Sequence, residues 1–366
     1  MRAYIILFAI MHVLYYITSH GYGHAVRSAA VCNCLPEGTR LSIRSDISPN
    51  FFDEELILPH GIRPGGFDVG CLQRDGVTVL VEETLRAYRD IAAKNRSSLD
   101  DEARWCVDNR VDCVVSDITP FAFEVADKAG IPSVAISNFT WHDIYSPYID
   151  KYQEYTSILS DMAGQYRKAS IALALYPSLP MTVFGGKLPV PILGKRGRNR
   201  RDGINAAFGI DNGKRLGLIY TGNFGLDGVD WLRLEEIDGW EFAGVYPLRG
   251  SPRNYHTVTK DQFRYQDMSA SADAIIAKMG YGVFSESLLN GIPLIYPPRE
   301  DFAEFPALDA EARRLRSGVC VDTETFAAVG WRNLLDGIIA GGSAVKPVDG
   351  GGAALCASEI MKIASR

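Results

Sequence analysis

The stretch Ser19-His20-Gly21-Tyr22-Gly23-His24 places two glycines and two histidines directly behind an apolar run, His12–Thr18. Glycines there let the backbone turn sharply at the carboxyl end of a parallel strand, where open α/β sheets bind ligands. Gly21 and Gly23 are therefore candidate ligand contacts through the backbone. The full dinucleotide fingerprint Gly-x-Gly-x-x-Gly is absent, because Val26 takes its last place. His24 opens the following helix and can accept a proton from a hydroxyl; a helix-capping histidine is the plainer alternative. His20 reads equally as a ligand contact or as a bystander.

A carboxylate is needed to orient such an imidazole, and Asp117 supplies a candidate at the end of Cys113-Val114-Val115-Ser116-Asp117. If the two strands are neighbours in a parallel sheet, both loops leave the same edge, and Asp117 can bond one ring nitrogen of His24. Asp117 also suits the cap of a helix beginning near Pro120, and the two roles are compatible.

The third constellation runs from Asp273 through Lys278, Gly280, Tyr281, Gly282, Val283 and Glu286, followed by Gly291-Ile292-Pro293. A strand enters a Gly-x-Gly turn and then a helix whose free N–H groups can meet a phosphate. Lys278 adds positive charge there. Glu286, about one turn into the helix, can accept hydrogen bonds from both ribose hydroxyls, the order of contacts that nucleotide binding uses. The alternative is an ordinary strand–turn–helix with Glu286 exposed.

These loops need rigid strands behind them. At 366 residues, 47% hydrophobic and 22% charged, the chain is an ordinary globular protein too long for one core. Strand-like runs alternate with helical stretches: Arg40–Arg44, Val111–Ser116 and Ser133–Ser137 as strands, Thr84–Asn109 and Phe121–Ala129 as helices. A second series follows, with strands Leu216–Tyr220, Glu241–Val245, Ala274–Ala277 and Leu294–Tyr296, and a last helix Ala353–Ala364. Between them, Pro177–Gly203 is rich in proline and glycine and carries the basic run Lys195–Arg201, which reads as a solvated hinge or an anion patch. The expected organisation is α/β, two doubly wound domains at 1–180 and 204–350 around a cleft. The reading adds a poorly packed linker at 181–203 and a final helix, 351–366, returning to the first domain.

A net charge of −6 gives no general attraction for nucleic acid. The seven cysteines show no Cys-x-x-Cys pair and no metal-ligand spacing, so no metal is expected and reduced cytoplasmic thiols are. The apolar residues Tyr4–Ile10 lack a cleavage site and His12 interrupts the run, so neither export nor a membrane span is expected; peripheral membrane contact stays open. Met11 is an alternative start.

The order Gly-x-Gly-His, Ser-Asp, then Gly-x-x-Ser-Glu with Gly-Ile-Pro resembles the GT-B glycosyltransferases, two Rossmann-like domains facing across a cleft. Plant-type UDP-glycosyltransferases and MurG-like enzymes are similar. The glycosyltransferase-like N-terminal region of L-arabinokinases is closer still, sharing Ser116-Asp117 to Pro120, Asn138-Phe139-Thr140-Trp141, and Lys278-Met279-Gly280-Tyr281-Gly282 with Ser285-Glu286. The resemblance implies a catalytic base at His24, its support at Asp117 and a ribose contact at Glu286. It further implies diphosphate contacts at Thr221, Gly222 and Asn223 and at the Gly280–Val283 turn. The plant-type motif has His where Lys278 stands, and ends in Asp-Gln where this chain has Asp301-Phe302, so the resemblance carries a sugar contact to Asp301 and no further. Base stacking is expected on Phe263–Gln266.

The implied reaction is an inverting, metal-independent transfer from a nucleoside-diphosphate sugar, UDP-sugar favoured, to an unspecified hydroxyl acceptor; no true cofactor is required. Two rivals stay open: a nucleotide-sugar epimerase on the same scaffold, and a non-catalytic nucleotide-sugar-binding module. The acceptor side would include Asn138–Tyr148, whose Trp141, His142 and Tyr145 either stack on a sugar ring or belong to the core.

Overall fold

A computed structural model describes residues 11–74, 78–220, 228–340 and 345–366. The chain divides into two compact units: Met1–Gly70 with Glu82–Pro191 and Gly351–Arg366, and Cys71–Val81 with Ile192–Gly350.

The first unit is built on seven strands: β1 (His12–Ile17), β2 (Arg40–Ser45), β3 (His60–Pro64), β4 (Cys113–Asp117), β5 (Ser133–Ser137), β6 (Ile171–Leu175) and β7 (Lys187–Val190). They pair in parallel in the order β3-β2-β1-β4-β5-β6-β7. Every residue of β1, β4 and β5 is buried, as apolar strands covered on both faces must be. Strand order reverses between β1 and β4, and there Ile17 lies opposite Asp117 in register. The helix Tyr22–Cys32 follows β1 and the helix Phe121–Ala129 follows β4; the latter stops on Gly130, whose φ of 69° is the left-handed cap expected of glycine. The C-terminal helix Gly352–Ala364 packs against Tyr22–Cys32 and against β4, β5 and β7.

The second unit repeats the plan with β8 (Arg215–Tyr220), β9 (Trp240–Gly244), β10 (Tyr255–Thr257), β11 (Ala274–Ala277), β12 (Leu294–Tyr296) and β13 (Gly318–Cys320). All pair in parallel, in the order β10-β9-β8-β11-β12-β13. The two-residue period of a strand divides β11 between two cores: Ile275 and Ala277 face the cluster with Leu218, Phe284 and Leu288, while Ala274 and Ile276 face Trp231, Phe242 and Trp331. The reversal here falls between β8 and β11, and the helix Tyr281–Asn290 follows β11. The four strands expected in this half are present to within a residue at each end.

The segment 181–203 departs from the loosely packed linker its composition suggested. It contains β7, an edge strand of the first sheet, where Pro189 is tolerated. Ile192 and Leu193 are buried, and a Cβ at Gly197 would stand 1.8 Å from the Gln266 carbonyl oxygen. Glycine and proline serve close approach and an edge here, a use that composition alone does not distinguish from a hinge. No described helix is long and apolar enough to cross a membrane.

Candidate functional sites

Both reversal points carry the same local sequence. Gly21-Tyr22-Gly23 and Gly280-Tyr281-Gly282 each lead from a strand into a helix, with Gly21 and Gly280 as the residues before the first turn. Neither glycine has positive φ (−176° and −161°), so the sharp turn expected of them is not why they are glycine. A Cβ at Gly21, Gly23 or Gly280 would meet nothing within 4 Å. What the missing side chains leave is open space beside two helix starts that no side chain caps. Uncapped N-terminal amides with room above them are a setting for a carbonyl or anionic oxygen.

In the first unit His24 is the third residue of its helix and is buried, its Nδ1 2.9 Å from Asp117 Oδ1. The pair expected from the sequence is therefore in contact. Sequence reasoning passed over the side chain that holds it. Arg27 donates from Nε to Asp117 Oδ2 and from Nη2 to Oδ1, both at 2.6 Å, and from Nη1 to Asn138 Oδ1 at 2.7 Å. Ser28 Oγ donates to Asp117 Oδ2 at 3.2 Å. His24, Arg27 and Ser28 stand at i, i+3 and i+4, one face of a helix otherwise rich in alanine and valine. That polar face was the available signal. Burial alone pushes the Asp117 carboxyl up, but the Arg27 guanidinium, with His24 beside it, more than reverses this and brings it to about 2.

Asp68 is a second buried carboxyl of this unit that the sequence did not single out. It accepts from Thr18 Oγ1 and Thr119 Oγ1, each at 2.6 Å, tying its loop to the ends of β1 and β4, and burial raises its pKa above the ordinary carboxylate range. His20 lies edge-on to Trp141 at 5.2 Å, and Phe139 edge-on to His24 at 5.9 Å. Thr140 caps the helix Trp141–Ile149 through a reciprocal bond pair with Asp143. Trp141 and Tyr145 are wholly buried and stacked on each other, so they form core behind the histidines, whereas His142 is half-buried and held to the neutral side by that burial.

In the second unit Glu286 lies on the sixth residue of the helix Tyr281–Asn290 and is buried, contrary to the exposed alternative. Its Oε2 has no hydrogen-bond partner, and burial pushes the carboxyl up to about 8. Tyr220 and Tyr265 feel its charge, and their rings lie 4.6 Å apart. The buried Tyr265 hydroxyl is likewise unpartnered. Tyr265 thus sits beside Glu286, while Phe263 lines a surface groove with Arg200 and Arg264. Lys278 directly follows β11 and is half-buried. Tyr281 Oη accepts from Leu193 N–H at 3.1 Å, and Val283 belongs to the core. Asp301 is exposed, and beside it Arg299 covers the ring of Phe302 at 4.2 Å. Thr221, Gly222 and Asn223 lie outside the described residues. Among the described residues no group of three His, Cys, Asp or Glu side chains could hold a metal ion.

No family model matches the chain. Over 303 residues, 80% of its length, it is 30% identical to L-arabinokinase from Arabidopsis thaliana, and spans 29% of that protein. Among solved structures it is similar to Phytolacca americana UGT2 complexed with UDP-2fluoro-glucose and pterostilbene (TM-score 0.63, 14% identity, 97% of this chain and 100% of that one). It is similar also to MurG from Acinetobacter baumannii (TM-score 0.59, 15% identity, 96% and 99%) and to CalG4, the calicheamicin glycosyltransferase (TM-score 0.62, 16% identity, 97% and 98%). These likenesses run through nearly the whole chain and show its fold, the two-domain GT-B architecture of paired Rossmann-like parallel sheets.

Proposed function

We propose that the chain is a glycosyltransferase that moves a sugar from a nucleoside-diphosphate donor, a UDP-sugar in the first instance, to the hydroxyl of a small-molecule acceptor. The observation that carries this reading is Glu286, a carboxyl buried in a helix behind an uncapped glycine turn, with one oxygen lacking any partner. Buried polar groups are satisfied in native proteins, and one left open in the folded chain marks a place a ligand completes. Two ribose hydroxyls fit a carboxylate, and the glycine turn ahead of it fits a diphosphate. The similar solved structures include a UDP-2fluoro-glucose complex, which favours uracil among the donor bases.

In the mechanism, Lys278 and the first amides of the helix Tyr281–Asn290 stabilise the negative charge that grows on the departing diphosphate. Tyr281 and Gly282 shape that turn, Val283 anchors it in the core, and Asp301 is the candidate contact to the donor sugar. Thr221, Gly222 and Asn223 complete the diphosphate contacts. His24 Nε2 takes the acceptor hydroxyl's proton as its oxygen attacks the anomeric carbon from the face opposite the leaving group, giving inversion. Asp117 holds Nδ1 of the same ring. Gly21 and Gly23 leave room for the acceptor beside the imidazole.

A thermal-shift screen of nucleoside diphosphates and their sugars, followed by product analysis with and without candidate acceptors, tests the reading. Stabilisation by one donor follows from mass action, and an acceptor-dependent glycoside is the expected product. An isomerised UDP-sugar formed without acceptor would make the chain an epimerase. Donor binding with neither transfer nor hydrolysis would make it a binding module.

A further inference from the structure

We propose that Arg27 is a positioning residue for His24: by sharing Asp117 Oδ1 with the imidazole, its guanidinium fixes the tautomer in which Nε2 is the proton acceptor. This rests on His24 acting as the base, but it is a statement about a tautomer and can be tested without any transferase activity.

The charge on Asp117 carries the assignment. His24 Nδ1 has two close polar neighbours, Asp117 Oδ1 at 2.9 Å and Arg27 Nη2 at 3.0 Å. If Nδ1 carried the lone pair, it would accept from Arg27 and present that lone pair to a carboxylate oxygen at the same time. Nη2 makes its shortest contact to Asp117 Oδ1 at 2.6 Å, with His24 Nδ1 at 3.0 Å and Ser137 Oγ at 3.4 Å further out. An ionised carboxylate oxygen only accepts, so the 2.9 Å contact of Oδ1 with Nδ1 calls for the hydrogen on Nδ1, and Nη2 and Nδ1 then converge on Oδ1 as two donors. Nδ1 carries the hydrogen, and Nε2 carries the lone pair.

That assignment holds only while Asp117 is ionised. A protonated Asp117 gains an O–H that can donate to Nδ1, which moves the ring hydrogen to Nε2 and removes the base. Facing the carboxylate are His24, Arg27 and Ser28 from one helix, and its charge is felt by Tyr15 of β1 and Cys356 of the C-terminal helix. Among these Arg27 brings the permanent positive charge, in a two-pronged contact that a lysine cannot reproduce. Asn138 fixes the third arm of the fork. The imidazole is oriented by the carboxylate, and the carboxylate is kept ionised by the arginine.

The test is a long-range ¹H–¹⁵N spectrum of histidine-labelled protein, with His24 assigned from the H24Q spectrum. Wild type is expected to show the Nδ1–H tautomer at neutral pH; an Nε2–H ring there would overturn the proposal, whatever the enzyme does. In Arg27→Gln, which removes the charge, the ring should move toward Nε2–H, and kcat should fall at least tenfold with the loss growing as pH is lowered. R27K keeps a cation and should hold the Nδ1–H form with a smaller loss. If R27Q retains the wild-type melting profile and the Nδ1–H ring, Arg27 is packing only and the proposal fails. Should R27Q not fold, Arg27→Lys carries the test: the Nδ1–H form should persist at neutral pH with kcat lowered, and an Nε2–H ring there, or an unchanged kcat, would refute the role. Loss of transfer in wild type with the predicted tautomer intact would count against the proposed reaction and leave the Arg27 assignment standing.

Discussion

Nδ1 of His24 stands 2.9 Å from Oδ1 of Asp117, although the two residues are 93 positions apart. Parallel pairing of β1 with β4 makes this possible, because Ile17 and Asp117 share a register and the helix bearing His24 begins five residues after β1 ends. A buried imidazole beside an ionised carboxylate is suited to general-base work.

Replacing His24 with alanine should lower kcat by roughly 10²–10⁴-fold, the usual contribution of a positioned general base. Donor affinity, measured by titration calorimetry, should stay within a factor of about three, because His24 belongs to the other unit from Glu286. A large fall in donor affinity would instead place His24 in the nucleotide site.

Asp117→Asn strips a carboxylate from a fully buried cluster and leaves the Arg27 charge behind, which typically costs about 3–5 kcal/mol. Denaturant unfolding should show that loss, and the double variant Asp117→Asn with Arg27→Met should recover part of it. For Asp117 in wild type the sign is that of a carboxyl lowered on folding. Its stabilisation is complete above the ordinary carboxylate value and is lost as pH falls toward about 2. The D117N variant should therefore show a flatter acid limb, and an unchanged limb would rule out this source.

Glu286 has the opposite sign. Its folded-state value is raised to about 8, so the unfolded chain gives up the proton first. Wild type should lose stability as pH climbs from the ordinary carboxylate range to about 8, with no further loss beyond. Glu286→Gln has no proton to lose, so its melting temperature should overtake that of wild type across this window. A constant difference from pH 5 to pH 9 would remove the argument. The same variant should bind donor roughly 10–150-fold more weakly, the worth of a hydrogen bond to a charged group.

Donor binding should also release protons. If ribose hydroxyls bond the ionised form of Glu286, binding lowers its pKa from about 8, and calorimetry at pH 7 in buffers of different ionisation heat should detect up to one proton leaving. The release should vanish in Glu286→Gln. Its persistence there would assign the proton to another group.

Gly280→Ala should fold normally, because the backbone is extended and a Cβ meets nothing; a gain of about 0.4–1 kcal/mol is expected from the reduced freedom of the unfolded chain. Nucleotide affinity should nonetheless fall, since the methyl takes the space over the helix amides. Equal affinity for UDP in both proteins would show that the space is not used.

The sequence by itself determined the two α/β halves, the apolar strands at their centres, the glycine-led helix starts and the pairing of His24 with Asp117 as a candidate. These follow from local signals, namely β-branched runs, Gly-Tyr-Gly before a helix, and Gly130 closing Phe121–Ala129. It also placed Glu286 on the right helix, yet left its burial open, because a single glutamate reads alike on an exposed and a covered face. Arg27 went unremarked for a related reason. An arginine on a helix is ordinarily solvated, and its meaning depends on Asp117 and Asn138, 90 and 111 residues further along. The proline-rich segment at 181–203 misled in the other direction, since edge strands and close backbone approach use the same residues as loose linkers. Burial and long-range pairing are set by which strands become neighbours. That choice belongs to the folded sheet as a whole, so only the tertiary structure could reveal the arginine clamp and the unpartnered carboxyl.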